Sequence, residues 1–452
     1  MPSPAINGLR APARVYKPEK ASERRLDMST SPLRSFPARH YRPLFLKILE
    51  SRLKRGTVSL WLPDGKRYRV GHGKPEVEWI FHDLSALGKI WRNPELQMGE
   101  TYMEGAWDAG KGGLPLLLHV LIGNLQEERK AHGLETLGHL FGQHRRSKNG
   151  IRRSYDNVSH HYDQEEWLFR CFLDEDMQYS CAYFARPDMS LEEAQQAKLE
   201  LLRKKLCTQP GDRILDIGSG WGGLALYLAE HGDVEVTGLT LSREQLHVSR
   251  ERAAARGLSH RVRFLLQDYR EHSEQYDRIV SVGMFEHVGQ EHYPRFFQEM
   301  KRRLKKNGLA LLHTIGRSGP PAAISEWVDR YIFPGSHIPS LSEVSRAVED
   351  NHLVTTDLEV LRLHYAKTLA CWWERFGRRR AEIRLRLGER FCRMWEFYLA
   401  SSEASFRGGD LVVFQLQLGH TNQAAPLTRD YLWGEGEPFA SAKRMEKRRV
   451  RF

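Results

Sequence analysis

Cysteine is scarce in this chain of 452 residues: five in all, at positions 171, 181, 207, 371 and 392. The number is odd and none form a CxxC pair. That argues against a disulfide framework or a zinc ribbon, no metal site is expected, and a reducing cytosol fits. Long apolar runs are missing too. The longest, Leu114 to Leu125, falls short of the roughly 20 residues a bilayer-spanning helix needs. The first 30 residues hold no continuous apolar segment of the kind a signal peptide carries. The expectation is a soluble or peripheral protein. Acidic residues are outnumbered, 57 against 69 Lys and Arg, for a net charge of +12. Such an excess asks for an anionic partner, and charge alone does not choose among nucleic acid, membrane surface and acidic ligand.

The length suits two or three domains. Residues 1–40 are rich in Pro, Ser and Arg without apolar period and read as a disordered basic tail. Residues 41–125 read as a small α+β domain: a helical period from Leu44 to Leu53, a strand from Val58 to Leu62 entering the turn Pro63-Asp64-Gly65, a return strand at Tyr68–Val70, a further strand at Trp79–Phe81 and an apolar helix from Leu114. Residues 126–152 are polar and basic, as in a linker. From 153 to 420, apolar strands alternate with amphipathic helices, which is the pattern of βαβ units on a parallel sheet and an α/β fold class. Residues 421–452 form a second basic tail.

The sharpest local signal is Arg213-Ile-Leu-Asp216-Ile-Gly218-Ser-Gly220-Trp221-Gly222-Gly223. A short strand ends in a glycine turn and a helix begins at once, so backbone N–H groups face a ligand. The spacing is not the dinucleotide G-x-G-x-x-G, and with an acid in the strand it resembles class I methyltransferases. The ligand's methionine carboxylate would meet the glycine turn and its amino group Asp216. The second strand of such folds usually ends in a ribose-binding acid. None is present here; Thr240, Ser242 and Gln245 stand there instead, and Ser242 also suits a helix N-cap.

Further stretches extend the resemblance: Tyr179-Ser180-Cys181-Ala182-Tyr183-Phe184, Gln196-Ala197-Lys198, Gly283-Met-Phe-Glu286-His287-Val-Gly289 and Leu312-His313-Thr314-Ile315-Gly316. Together they resemble the cyclopropane-fatty-acyl-phospholipid synthases and the related mycolic acid cyclopropane synthases. The likeness runs from about Ser154 to Leu418 and more weakly through Met98–Asp108. It implies a Rossmann-like methyltransferase sheet with helical lipid-tunnel insertions and an amino-terminal lipid-binding or dimer domain, the latter pointing to phospholipid as substrate. It implies S-adenosylmethionine as methyl donor, contacted by Tyr179, Ser180, the loop Asp216, Gly218, Gly220, Trp221 and Gly222, then Thr240, Ser242, Gln245, Asp268 and Tyr269.

The reaction so implied needs a dry apolar tunnel, tolerance of positive charge and a base near the new methyl group. The resemblance supplies that base as a bound bicarbonate ion caged by Cys181, Glu286, His313, Ile315 and Tyr365. His313 and Tyr365 would donate hydrogen bonds, and Cys181 and Ile315 mainly their backbone N–H groups. On composition alone, Tyr331 and Tyr398 are alternatives to Tyr365. Many family members carry a cysteine where Ser402 stands, which argues against an obligatory thiol nucleophile there. A membrane substrate implies a cytoplasmic enzyme held peripherally on the inner face of the membrane, on anionic lipid, with no nucleic acid partner. The arginines at 375, 378, 379, 380, 384 and 386 beside Trp372 and Trp373 suit a membrane-surface helix or an ordinary charged solvent face. The resemblance also implies a homodimer. The alternatives are a lipid C-methyltransferase giving methyl-branched or methylene products, and an RNA methyltransferase.

Overall fold

A computed structural model describes residues 41–132 and 166–432. The expected amino-terminal tail, most of the linker and the end of the basic carboxy-terminal tail lie outside the described residues.

The amino-terminal layer starts with α1 (Tyr41–Arg52), followed by strands β1 (Gly56–Trp61), β2 (Arg67–His72) and β3 (Glu76–Phe81). The turn after β1 closes where Pro63-Asp64-Gly65 predicts it, with the Gly65 amide donating to the Leu62 carbonyl at 3.0 Å. β1 runs antiparallel to β2 and parallel to β3. Helices α2 (Ser85–Arg92) and α3 (Pro94–Met103), the short strand β4 (Trp107–Ala109) and the helix α4 (Gly113–His132) complete the layer. Asn93 caps α3 and Pro94 opens it, both residue types suited to a helix start. α4 continues past Leu125, where the composition turns polar, to His132.

The second region opens with α5 (Glu166–Arg170) and α6 (Leu191–Leu206). Ser190 and Glu193 form a capping box at the start of α6, satisfying two of its free amides. Then follow β5 (Arg213–Ile217), α7 (Gly223–Glu230), β6 (Glu235–Thr240), α8 (Arg243–Ala255), β7 (Val262–Leu266), β8 (Tyr276–Val282), α9 (Tyr293–Arg303) and β9 (Leu304–Arg317). The chain closes with α10 (Glu326–Tyr331), α11 (Leu341–Asp350), β10 (Val354–Val360), α12 (His364–Leu387), α13 (Glu389–Gly408) and β11 (Leu411–Gly419). The sheet order is β7-β6-β5-β8-β9-β11-β10. The first five strands are parallel, and β11 inserts antiparallel between β9 and β10. Strand order reverses between β5 and β8, and ligands of open α/β sheets bind outside the carboxyl ends of the strands at such a reversal.

The two regions share a core. One apolar cluster runs from Val58, Trp79 and Trp107 in the amino-terminal layer through Trp395 and Trp372 to Cys181 and Tyr365. α13 packs on α4 and α3. Arg393 of α13 donates to the Trp107 carbonyl at 2.8 Å and to Asp108 at 2.7 Å. Tyr331 and Arg330 of α10 both bond Glu100 of α3 at 2.8 Å.

Candidate active site

The glycine turn sits at the carboxyl end of β5. Gly218 and Gly222 have φ of +86° and +83°, a region in which side chains are strained. Gly222 is also tight: a Cβ there would lie 2.8 Å from both the Phe264 ring and Ser249. A cavity opens over this turn, lined among others by Tyr179, Ser180, Asp216, Gly218, Gly220, Trp221, Thr240, Gln245, Asp268 and Tyr269. Two expected cofactor residues serve its frame instead. Gly222 caps the first turn of α7, and the Ser242 hydroxyl accepts from the Gln245 amide at 3.2 Å as cap of α8. Thr240 donates to Gln245 Oε1 at 2.8 Å, and Asp268 is paired with Arg270 at 2.6 Å.

Asp216 is buried, and its Oδ2 meets no partner among the described residues. Burial raises its carboxyl to about 7, since a charge in a low-dielectric site loses its hydration. A ligand bearing an ammonium and a sulfonium group is the kind of partner this carboxylate lacks. That observation, with the open backbone cradle, fits S-adenosylmethionine.

Of the five residues expected to cage an anion, Glu286, His313 and Ile315 stand on neighbouring strands or just after them. Glu286 follows β8 in a short 3-10 turn, Phe285–His287. Its Oε1 accepts the Ile315 amide of β9 at 2.6 Å, its Oε2 is buried and meets no hydrogen-bond partner among the described residues, and burial raises its carboxyl to about 7. The Ile315 N–H expected to face an oxyanion is therefore engaged by Glu286. His313, two residues earlier on β9, is buried, and burial pulls its pKa to about 3, so it is neutral. Its Nδ1 lies 3.0 Å from Gln415 Nε2. Cys181 is fully buried and its thiol is pushed upward by burial, so it stays protonated. Tyr365 occupies the first turn of α12, against Trp372 and Phe406. The Ala182 amide donates to Thr368 Oγ1 at 3.1 Å and the Phe184 amide to His364 Nδ1 at 3.0 Å, which ties the Cys181 segment to the turn that carries Tyr365. Gly283, whose amide donates to the His313 carbonyl, also approaches Ser180, joining the two halves. Of the alternative tyrosines, Tyr331 is bonded to Glu100, and Tyr398 shares a hydrogen bond with Tyr179 at 2.8 Å.

Sequence reasoning missed several residues. Lys198 is fully buried on α6 and holds Gln178 Oε1 and, at 3.1 Å, Ser180 Oγ. Burial lowers its pKa to about 8. Gln178, Gln267, Met284 and His287 also line the cavity. Lys198 and His287 lie inside the motifs quoted above, so the signal was present without a role attached. The arginines of α12 divide differently from a free cationic face. Arg375, Arg378, Arg379 and Arg380 are all paired with glutamates, and Trp372 is core.

A parallel sheet with a glycine turn at its reversal point and a buried acid behind that turn defines an S-adenosylmethionine-dependent methyltransferase of class I. Within that class, the chain belongs to the mycolic acid cyclopropane synthetase family, whose model matches residues 149–416. It is 40% identical over 366 residues to a cyclopropane-fatty-acyl-phospholipid synthase of Escherichia coli (strain K12), covering 78% of this chain and 94% of that one. Only 36 residues follow position 416, so an alignment of that length must enter the amino-terminal layer. A tuberculostearic acid methyltransferase of Mycobacterium tuberculosis is 37% identical over 368 residues, covering 77% of this chain and 85% of that one. Among solved structures, a cyclopropane synthase from Mycobacterium tuberculosis superposes with a TM-score of 0.57 at 34% identity, covering 58% of this chain and 97% of that one.

Proposed function

We propose that this enzyme adds a methylene unit across a cis double bond of an acyl chain in a membrane phospholipid. S-adenosylmethionine supplies an electrophilic methyl group, whose transfer to the alkene leaves a carbocation that closes to a ring on loss of a proton. The residues around the cofactor cavity suit that demand. Asp216, Thr240 and Gln245 would hold the cofactor, and Asp268 with Tyr269 would border its adenine. A bicarbonate ion beside Glu286 and His313 would receive the proton. Two anions cannot sit together unless a proton is shared, and a Glu286 carboxyl poised near 7 can carry that shared proton. The observation that carries the reading is the buried Glu286 Oε2, without a partner among the described residues and flanked in sequence by Met284 and His287 of the cofactor cavity.

A second reading has support from relatives named as fatty acid methyltransferases, one from Pseudomonas putida at 34% identity. There the same cation would lose a different proton to give a methylene chain, and a methyl-branched chain would further require hydride from a reductant. Incubation of the protein with S-adenosylmethionine and unsaturated phospholipid vesicles distinguishes them. A mass gain of one CH₂ in a product that resists ozonolysis establishes the ring, the same gain in a product cleaved by ozone the methylene, and a gain of CH₂ plus two hydrogens with a reductant present the methyl branch. Unaltered lipid refutes both. Among the described residues no helix is long and apolar enough to cross a membrane, so access to acyl chains would be from the surface. Leu385, 84% exposed at the end of α12 beside Arg384 and Arg386, is a residue that could enter lipid.

A further inference from the structure

A neutral His313 ring donates from Nε2 only if Nδ1 is unprotonated, and two buried residues decide that. Lys205 of α6 is 1% exposed, is paired with Glu359 and donates to Gln415 Oε1 at 2.7 Å. A lysine ammonium has donors and no acceptor, so it fixes the oxygen end of the Gln415 amide toward itself. The amide NH₂ is thereby turned to His313 Nδ1, 3.0 Å away across the β9–β11 pairing in which the two residues stand opposite each other. An NH₂ group only donates, so Nδ1 must be the acceptor. Burial keeps the ring neutral, and a neutral imidazole with an acceptor Nδ1 carries its proton on Nε2. Gln415, like His313, is almost wholly buried, so water does not compete for either contact.

We propose that Lys205 and Gln415 are positioning residues that lock His313 as the Nε2–H tautomer, making it a permanent donor toward an oxyanion. This rests on the proposed function for its purpose and on the hydrogen-bond chain alone for the tautomer. It also assigns Glu359 a part: its carboxylate, with a quarter of its side chain exposed, holds the Lys205 head charged at the outer end of the relay.

The test uses the full chain labelled with ¹⁵N-histidine, with the His313 signal assigned by its loss in His313→Gln. The wild-type ring should show the Nε2–H tautomer without change from pH 6 to pH 8. Gln415→Glu places an acceptor opposite Nδ1, so the signal should move to Nδ1–H, which removes the Nε2 donor. Turnover should fall at least tenfold with S-adenosylmethionine affinity unchanged. Lys205→Met frees the Gln415 amide to rotate and should give a mixture of tautomers with an intermediate loss, which reads the same relay if Gln415→Glu fails to fold. An Nδ1–H signal in the wild type overturns the assignment, as does a folded Gln415→Glu protein that keeps the wild-type tautomer. Wild-type turnover alongside a switched tautomer overturns the donor role. The spectrum needs no turnover, so lipids left unaltered by the wild type would refute the proposed function while leaving the tautomer assignment to its own result.

Discussion

Asp216 and Glu286 face the same physical problem, a carboxyl taken out of water with one oxygen lacking a partner among the described residues. For Asp216 the folded value of about 7 lies above the ordinary 3.8. The native state therefore holds the proton longer than the unfolded chain, and the associated stability is present below pH 4 and lost as pH rises through 7. Asp216→Asn removes that loss. The variant free of cofactor should be more stable than wild type at pH 8, by up to about 4 kcal/mol, with the difference shrinking toward zero near pH 4. Its affinity for S-adenosylmethionine should fall at least tenfold. Thermal melts at three pH values and a calorimetric titration read both; a difference independent of pH would disprove the burial cost. Glu286→Gln keeps an acceptor for the Ile315 amide but cannot share or release a proton. It should fold and bind cofactor as wild type does, with ring formation lost by more than a hundredfold. Turnover within tenfold of wild type would remove Glu286 from the chemistry.

At the scale of elements, α3 and α10 meet most tightly at Gly99. A Cβ on Gly99 would fall 2.3 Å from Trp327 Nε1 of α10, and the indole, 1% exposed, has no room to withdraw. Gly99→Ala should cost about 1–3 kcal/mol, the usual range for overpacking. Denaturant unfolding would show it, and an unchanged midpoint would mean that α3 and α10 are not held together in solution. This contact marks the limit of what the sequence discloses. β1, β2 and β3 were legible because residues 58–81 alternate and turn on Pro63-Asp64-Gly65, and β5 to β8 because apolar runs end at glycines and helix caps. β10 and β11 were not legible as an antiparallel pair, since β11 is buried on both faces and reads like any core strand. The break between α12 and α13 falls at Gly388, which ends one helix and precedes the next. Among candidate site residues, Glu286 was marked by the motif Gly283–Gly289 on which the resemblance rests. Gln415 was not: its importance comes from standing opposite His313 across 102 residues of sequence, and no local pattern encodes that.

The described residues share one apolar core across both regions although the chain reads as several domains. Tyr102 and Trp327 both contact Phe397 of α13, at 6.0 and 4.8 Å between ring centroids, and the apolar cluster they belong to reaches Cys181 and Tyr365. The solved cyclopropane synthase that superposes on 58% of this chain is itself covered to 97%, so a related fold stands without a counterpart of this amino-terminal layer. Here α13 carries Trp395, Phe397 and Leu399 as buried side chains, and removing α1 to α4 would expose part of that apolar surface. Large exposed apolar patches drive association. The full chain should therefore melt in a single calorimetric transition, whereas a version lacking residues 1–132 should aggregate or bind a hydrophobic dye and lose activity. Two separate transitions in the full chain, or a truncated protein that stays monomeric and turns over normally, would show that the amino-terminal layer is an independent domain with no part in shaping the site.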